Sequence, residues 1–513
     1  MSSEFFTSID TNSVGGTPVP VPKVNLPAHT PRGSVRARYD AADLGDASEY
    51  RHFLPATSIA ADWDQNPQTR RILRNRARYE FANNSYLQGV TISVANDVIG
   101  VCPRLQLQSG DIESDRFVET EFARWMDATG LADKLRLMRK AKLIDGESFA
   151  LISNNPILCH EVQLDIIILE AEQVSTPLLL VPRPGHVDGV VFDRFRQPVL
   201  YHVLRNNPSE PYAMAQFTYD EIPADQVIHL FRCDRAGQVR GVSEVSPALY
   251  LFAQLRRYTA ATLAAAEAAA QLTLILETPA PPDGDLPVPV DFDTIPITKN
   301  MFTTIPAGMK LSQMDGKHPT ASYENFKIQL LCEIGRCLNI PRNIMTGDSS
   351  AYNYSSSRMD SRLYYKSVEI ERAGIRGKVL NPLLRKWFEE ARLIPGYLPP
   401  FYQNPSNSFS ARWLFDQPQS IDPTKDIAAY SQALDSGQMN FSEVCAIRGV
   451  DFEEMVRQRA REEQLLAELG LKFGSESQVS NSVNLETPDG TSDTSPDESI
   501  PDEGDDSQTP SDV

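Results

Sequence analysis

Apolar residues recur at helical spacing over the first third of the chain, switch to alternation, and then return to helical spacing. Leu87, Val90, Val94 and Val98 fall three and four residues apart and the run stops at Gly100, which predicts a helix with one apolar face. An earlier helix is expected to start at Asn66–Pro67, because an asparagine side chain accepts from free first-turn amides and proline suits the first helical position. Two more are expected at about 114–128 and 131–144. ESFALISN (147–154), VQLDIIILE (162–170), DGVVFD (188–193), PVLYHVLR (198–205) and QVIHLF (226–231) then read as short strands of a mixed sheet, broken by Pro, Asp, Asn and Gly.

Helical spacing resumes at 243–277, where Ser243 and Pro247 mark a start and an alanine-rich run follows. At 1.5 Å per residue such a helix is a rod of roughly 45 Å, and its small side chains suit close packing against other helices. Residues 278–320 hold many prolines and short β-like pieces, so an extended excursion is expected. Tyr323, Phe326, Leu330, Leu331, Ile334 and Leu338 then share one helical face, ended by Pro341. A long helix from about Ser357 to Arg392 follows, with a kink expected at Asn381–Pro382, since proline removes a backbone donor and clashes with the preceding turn. Short helices capped by Asp422, Ser442 and Asp451 close the folded part near Leu471. The fold class read from this pattern is α+β, predominantly helical.

Between the two long helices lies SSAYNYSSSRMD, residues 349–360, with no aliphatic side chain larger than alanine before Met359. The plain reading is a solvated connector held by Asn and Ser turn bonds. Tyr352 and Tyr354 around Asn353 add aromatic faces and hydroxyls without positive charge.

Composition narrows the picture. The 513 residues are 41% hydrophobic and 23% charged, enough to bury substantial cores. Net charge is −19, but residues 476–513 carry eleven acidic residues and no Lys or Arg, which leaves the rest at only −8. That end reads as a solvated acidic tail, and the Pro, Ser and Thr-rich residues 1–60 as an arm. The six cysteines lack the paired spacings of a zinc site or disulfide framework, so a reduced compartment is expected. No run reaches the ~18 to 20 apolar residues a bilayer needs, and MSSEFFTSIDTNS lacks the form of a signal peptide, so no membrane contact is expected.

Enzymatic signatures fail. There is no phosphate-cradling G-x-x-x-x-G-K-[ST] loop. GESFA at 146–150 departs from G-x-S-x-G at Ala150 and runs on as strand, which argues against Ser148 as a nucleophile. None of the seven histidines stands at metal-ligand spacing, and His229 inside VIHLF reads as a buried strand residue with a satisfied ring. No catalytic residue, metal site or cofactor is therefore assigned. Arg70, Arg71, Arg74, Arg76 and Arg78 read as a solvated face paired with acidic neighbours in preference to a phosphate-binding face.

ARYDAA (37–42), ANDVIG (95–100), GESF (146–149), VIHLFRCDRAGQVRGVSEVSPAL (227–249) and SAYNYSSSRMD (350–360), in this order, resemble the lambda-type portal proteins of tailed bacteriophages over about residues 35–470. Ala351 stands where that family pattern has glycine. The resemblance implies a structural, non-enzymatic subunit of a dodecameric ring at a capsid vertex. It implies a flexible arm (1–60), a wing (61–242), stem helices (243–277 and 322–344) around a clip (278–321), a tunnel loop (345–357), a long kinked helix with wing return (358–419), a crown (420–471) and an acidic tail (472–513). Ser349, Ser350, Tyr352, Asn353, Tyr354, Ser355 and Ser356 would face DNA. Ile295, Ile297, Met301, Phe302 and Ile305 would form the clip docking surface. The implied partners are the terminase large subunit, the major capsid and scaffolding proteins, the head-tail connector and double-stranded DNA passing non-specifically. The implied location is the virion portal vertex, with assembly in the host cytoplasm. The alternatives are another head-tail connector or internal virion protein, and a serine hydrolase built on Ser148.

Overall fold

The computed structural model describes residues 56, 58–177, 180, 185–209, 218–271, 275–277, 310–312, 321–350, 352–417 and 423–470. Most of the arm, most of 278–321 with Ile295, Ile297, Met301, Phe302 and Ile305, and the tail 472–513 lie outside the described residues. The described part is α+β and mostly helical. No described helix is long and apolar enough to cross a membrane.

The chain opens with α1 (Ala61–Asp64), α2 (Pro67–Asn83) and α3 (Ser85–Ile99). Asn66 caps α2 as expected, its side chain accepting from the Thr69 amide at 2.9 Å. Strand β1 (Arg104–Gln108) leads to α4 (Ile112–Thr129) and α5 (Leu131–Asp145), followed by β2 (Glu147–Asn154) and β3 (Leu164–Leu169). Next come β4 (His186–Val187), β5 (Val190–Phe192), β6 (Pro198–Leu204), β7 (Tyr219–Pro223) and β8 (Val227–Phe231). Strands β2 to β8 form two separate sheets, β3-β2-β8 and β4-β5-β6-β7, and each pairing is antiparallel. The expected mixed sheet is corrected on this point. A parallel pair needs a crossover of a dozen or more residues, usually helical, and no α-helix is described between β2 and β8.

The second half holds α6 (Leu249–Gln271), β9 (Ile275–Glu277), β10 (Lys310–Ser312), α7 (Ala321–Arg336), α8 (Arg342–Thr346), α9 (Tyr354–Ile375) and α10 (Asn381–Ala391). It closes with α11 (Pro400–Gln403), β11 (Ser410–Leu414), α12 (Pro423–Asp435), α13 (Phe441–Ile447) and α14 (Phe452–Leu469). Helix α6 stops at Gln271 instead of running to 277, because Ile275–Glu277 pairs antiparallel with Lys310–Ser312 and so closes the neck of the proline-rich excursion. Where a kink is expected near Pro382, the helix widens into a π-helical turn at Arg376–Leu380 between α9 and α10. Proline cannot donate to the carbonyl one turn back, and a wider turn absorbs the mismatch. The cap expected at Ser442 belongs instead to Asn440, which shares a capping box with Glu443. Asp451 caps α14 as expected, and Asp422 lies outside the described residues. Strand β1 pairs with β11 across some three hundred residues of chain, from Arg104↔Leu414 to Gln108↔Ser410.

Sheet β3-β2-β8 is buried on both faces. On one, Ala150, Ile166, Ile228 and Leu230 join the main core with Leu87, Val94, Phe122, Trp125, Leu331, Val368 and Trp387. On the other, Phe149, Leu169 and Val227 pack with Val190, Tyr201 and Val203 of the second sheet. Side chains alternate along a strand, so Glu147 falls on the Phe149 side and Ser148 on the Ala150 side.

On the Glu147 side sits a buried ion network. Arg240, 2% exposed, grips Glu147 bidentately at 2.8 and 2.6 Å and spends its other donors on the Val174 and Ala171 carbonyls and on Asp188. Glu147 also accepts from Arg74 at 3.1 Å, from the Gly241 amide at 3.0 Å, and meets His229 Nε2 at 3.2 Å. Arg70 reaches Asp188, and Arg78 holds Asp145 with two bonds of 2.7 and 2.8 Å. The expected solvated arginine face is therefore corrected: Arg70 and Arg74 are buried inside this network, while Arg71 and Arg76 stay exposed. Backbone makes room for it. Gly146 stands at φ +92, and a Cβ there would lie 2.2 Å from the Val242 carbonyl carbon. A Cβ on Gly241 would lie 2.1 Å from the Gly146 oxygen.

His229 has a satisfied ring, stacked between Phe149 at 4.2 Å and Phe231 at 4.4 Å. Burial depresses its pKa, opposed by the Glu147 bond. Burial alone would raise the Glu147 carboxyl, but Arg240 and His229 outweigh it and hold it well below the usual carboxylate range.

Removing the Glu147 carboxylate would strand two buried guanidinium groups. Glu147→Ala is expected to cost about 3 to 5 kcal/mol in urea unfolding; a loss under ~1 kcal/mol, the size of an exposed pair, would refute the network's structural weight. Acid acts on the same groups. Below pH 6.5 the unfolded chain takes up a proton at His229 that the folded chain resists, and below pH 4.5 the same holds at Glu147. These two groups are thus expected to make stability fall below pH 6.5 and again below pH 4.5, and Glu147→Gln should weaken the lower stage, which Glu172 and Glu371 share, as read from urea midpoints against pH.

Candidate functional site

The polar run between the long helices is set by its two ends. On the N-terminal side Leu330, Leu331 and Ile334 of α7 are buried, and the helix is closed by Asn339 at φ 54 with the Ile340 amide donating back to Gly335 at 3.0 Å. Pro341 then starts α8, whose Met345 is buried. Tyr258 of α6 packs on Tyr323 and Phe326 of α7 at 5.6 and 4.8 Å between ring centres.

On the C-terminal side Tyr364, Val368, Arg372 and Ile375 line the inner face of α9. The Tyr364 hydroxyl donates to Asp97 at 2.7 Å. Arg372 donates to the carbonyls of Val98, Asp97 and Asp416 at 3.1, 2.8 and 2.6 Å, so α9 is locked to the end of α3. A second buried group, Glu244 with Arg139 at 3.1 Å and Lys142 with Glu371 at 2.6 Å, ties α9 to α5.

Seven residues, 347–353, remain between α8 and α9. Gly347 at φ 70 ends α8. The Asp348 amide donates to Thr346 Oγ1 at 3.2 Å, the Ser350 amide to Asp348 Oδ1 at 2.9 Å, and the Tyr352 amide to the Ser349 carbonyl at 3.1 Å. The first two are of the Ser/Thr and Asx turn type, and the third is a backbone bond. The Ser350 amide also holds the Asp348 carboxyl below its ordinary pKa. Tyr352 is half-buried, and its hydroxyl donates to Asp360 Oδ2 at 2.9 Å; burial and then that carboxylate raise the phenol pKa.

Asn353 and Ser356 form a capping box: Asn353 Oδ1 accepts from the Ser356 amide at 2.9 Å, and Ser356 Oγ accepts from the Asn353 amide at 3.2 Å. That box starts α9 at Tyr354, three residues earlier than expected. Tyr354, Ser355 and Ser356 therefore belong to the first turn of α9, and the loop expected at 345–357 shortens to 347–353. Ser349, Ser350, Asn353, Ser355 and Ser356 are exposed. Arg358 lies 3.8 Å from Asp426 of α12, and Arg362 is exposed. Spacing alone missed Asp360 as the partner of Tyr352, although its place two turns into α9 puts it under the loop.

Ser148 has no chemistry around it. It is 1% exposed, it faces the apolar core, and its Oγ has no hydrogen-bond partner. His229 lies on the opposite face of the sheet, engaged by Glu147.

Residues 53–372 match the family model described as phage portal protein, lambda family. The chain belongs to the lambda family of phage portal proteins. Among solved structures it is similar to the neck of a native GTA particle computed with C12 symmetry, at 13% identity, and to the neck of an empty GTA particle computed with C6 symmetry, at 14%. It is also similar to a chain in the virion of a native gene transfer agent particle, at 14%. In each case 75% of this chain and 94% of the other are covered, with a TM-score of 0.42. At that level the assembly of this chain has to be reasoned from its own residues.

Asn353→Ala removes the side-chain arm of the capping box, the bond from the Ser356 amide, at a cost of about 1 kcal/mol. Hydrogen exchange of the amides at 354–357 should quicken roughly five-fold by that amount, while Tyr352→Phe should leave them unchanged. Equal protection in wild type and Asn353→Ala would show that packing, not the cap, starts α9.

Proposed function

We propose that this portal protein assembles as a closed dodecameric ring around a channel for double-stranded DNA, with residues 347–356 lining the channel's narrowest point. The observation that carries this is the outer face of α9. Its inner face is fixed by buried groups, yet Met359, Leu363 and Ile370 on the other side are 68%, 63% and 66% exposed. Burying such side chains is worth roughly 1.5 to 3 kcal/mol each, and a neighbouring subunit in a ring covers them in every copy at once. Helix α14 supports the same reading, since its eighteen residues include none that is buried.

In this reading residues 61–242 form the wing, 243–277 and 322–344 the stem, 278–321 the clip, 358–419 the long kinked helix with wing return and 420–471 the crown. The clip, with Ile295, Ile297, Met301, Phe302 and Ile305, takes the terminase large subunit during packaging and the head-tail connector afterwards. The wing and crown meet capsid and scaffolding proteins at a virion vertex, after assembly in the host cytoplasm. The protein's role is structural: it holds and passes DNA without transforming it.

The chemistry of 347–356 suits passage. Serine and asparagine offer hydrogen bonds to phosphate without the ion pairs that add affinity at each contact, and an aromatic face slides as readily past one base pair as the next.

Electron microscopy of purified particles is the direct test: rings with an open channel are expected, and monomers under all assembly conditions would overturn the proposal. Leu363→Glu should lower ring yield without unfolding the subunit. Within rings, Ser355→Lys with Ser356→Lys should slow DNA packaging in a salt-dependent way, and replacing Tyr352 and Tyr354 by alanine should reduce packaged DNA. Normal packaging by both pairs would reduce the loop to a connector.

A further inference from the structure

A different cluster lies in the connection between β2 and β3, away from the proposed channel. Glu121 of α4 meets His160 and Glu161, and one ligand atom from each stands within 4.8 Å of the other two. Glu121 is 8% exposed; its Oε1 accepts from Arg124 at 2.5 Å and its Oε2 from the Tyr397 hydroxyl at 3.1 Å. His160 is half-buried, with Nδ1 3.3 Å from the Val162 carbonyl and 3.1 Å from the Val162 amide. Its Nε2 is buried and has no hydrogen-bond partner. A buried polar atom left unpaired costs about 1 to 3 kcal/mol, and here it stands in a group with two carboxylates that share, among the described residues, the single cation Arg124 on the Glu121 side.

We propose that Glu121, His160 and Glu161 bind a divalent transition-metal cation, zinc above all, with water completing the shell. One imidazole and two carboxylates form a borderline nitrogen and oxygen donor set that suits zinc and manganese; the imidazole counts against calcium or magnesium. The Val162 amide donates to Nδ1 at 3.1 Å, so Nε2 carries the ring hydrogen; a metal on Nε2 takes its place and the proton moves to Nδ1, which then faces the Val162 carbonyl at 3.3 Å, the usual orienting partner of a ligand histidine. Ligands around tetrahedral zinc stand roughly 3.4 Å apart, so the cluster closes by a swing of the exposed Glu161 side chain. The bound ion ties the β2–β3 connection to α4. Through the Tyr397 bond on Glu121 it also reaches the segment after α10. Arg124, whose side chain is 69% exposed, shares Glu121 with the metal and competes with it.

Full-length protein stripped with EDTA and titrated calorimetrically with ZnCl₂, and separately with MnCl₂, tests this. One zinc per chain is expected, with affinity at least about ten-fold lower in His160→Ala and in Glu161→Gln, on the scale of losing a ligand or its support. Arg124→Gln should bind several-fold more tightly, an effect that a purely structural cluster does not produce. Zinc should also slow hydrogen exchange at 155–163 in wild type and not in Glu161→Gln, a surface change that leaves the fold intact. Equal zinc affinity in wild type and both ligand variants, or no uptake of either metal by wild type, overturns the site. Neither result bears on ring formation.

Discussion

A buried carboxylate with two guanidinium groups on it organises this subunit. Glu147 stands at the first position of β2, fully enclosed, and its partners come from α2 (Arg74), from β8 (His229) and from the segment after β8 (Arg240). A charge so buried is tolerable only when every lone pair is answered, and the geometry that answers it is tight. Gly146 and Gly241 let two stretches of backbone pass closer than any Cβ allows. The Glu244 amide then bonds the Leu143 carbonyl at 3.0 Å, and Glu244 itself meets Arg139 and Lys142. The direction in which the chain leaves toward α6 is thus fixed by ion pairs and close backbone contact together.

That arrangement explains why some motifs stood out in the sequence and why their meaning did not. GESF and the VRGVSEVS part of the longer motif are two sides of one clamp, and the Ser in GESF is a bystander facing the core. The arginines at 70, 74 and 78 were misread as a solvated face for a related reason: their partners, Glu147, Asp188, Asp145 and Glu172, lie 67 to 118 residues away, where no local spacing rule looks. Local signals were legible. The Asn66 and Asp451 caps, the stop at Gly100 and the break before Pro382 depend on bonds within one or two turns, and residue types announce them. The start of α9 was legible too, had Asn353 and Ser356 been read as a capping pair. His160 and Glu161, two members of the proposed metal site, carry no local spacing signal because their companion Glu121 arrives from a separate helix.

The same division governs the loop 347–353. Its ends are set by long-range contacts, α7 through its core leucines and α9 through Arg372 and Tyr364. Its interior is held by hydrogen bonds spanning two or three residues. Each such bond nets only about 0.5 to 1.5 kcal/mol, so segments like this open far more easily than the helices beside them. Its position is therefore well defined while its shape can yield. Beyond the capping box at its end, the Tyr352 hydroxyl on Asp360 ties the loop to the helix below it and holds the ring down instead of leaving it free in solvent.

The contrast between the two faces of α9 carries the argument from subunit to assembly. On the inner face the helix spends an arginine on three backbone carbonyls and a tyrosine on Asp97, directional bonds that fix its rotation about its own axis. On the outer face it presents Met359, Leu363 and Ile370, whose contacts have no directional requirement. Rotation fixed on one side makes the apolar stripe on the other face point the same way in every copy. A non-directional surface held in a defined orientation is what a repeated head-to-tail contact needs, because the angle between neighbours then follows from the rigid body and the apolar contact supplies the attraction. Were the inner face held by apolar packing alone, the helix could turn more easily, and the angle between neighbours in the proposed ring would be less well fixed.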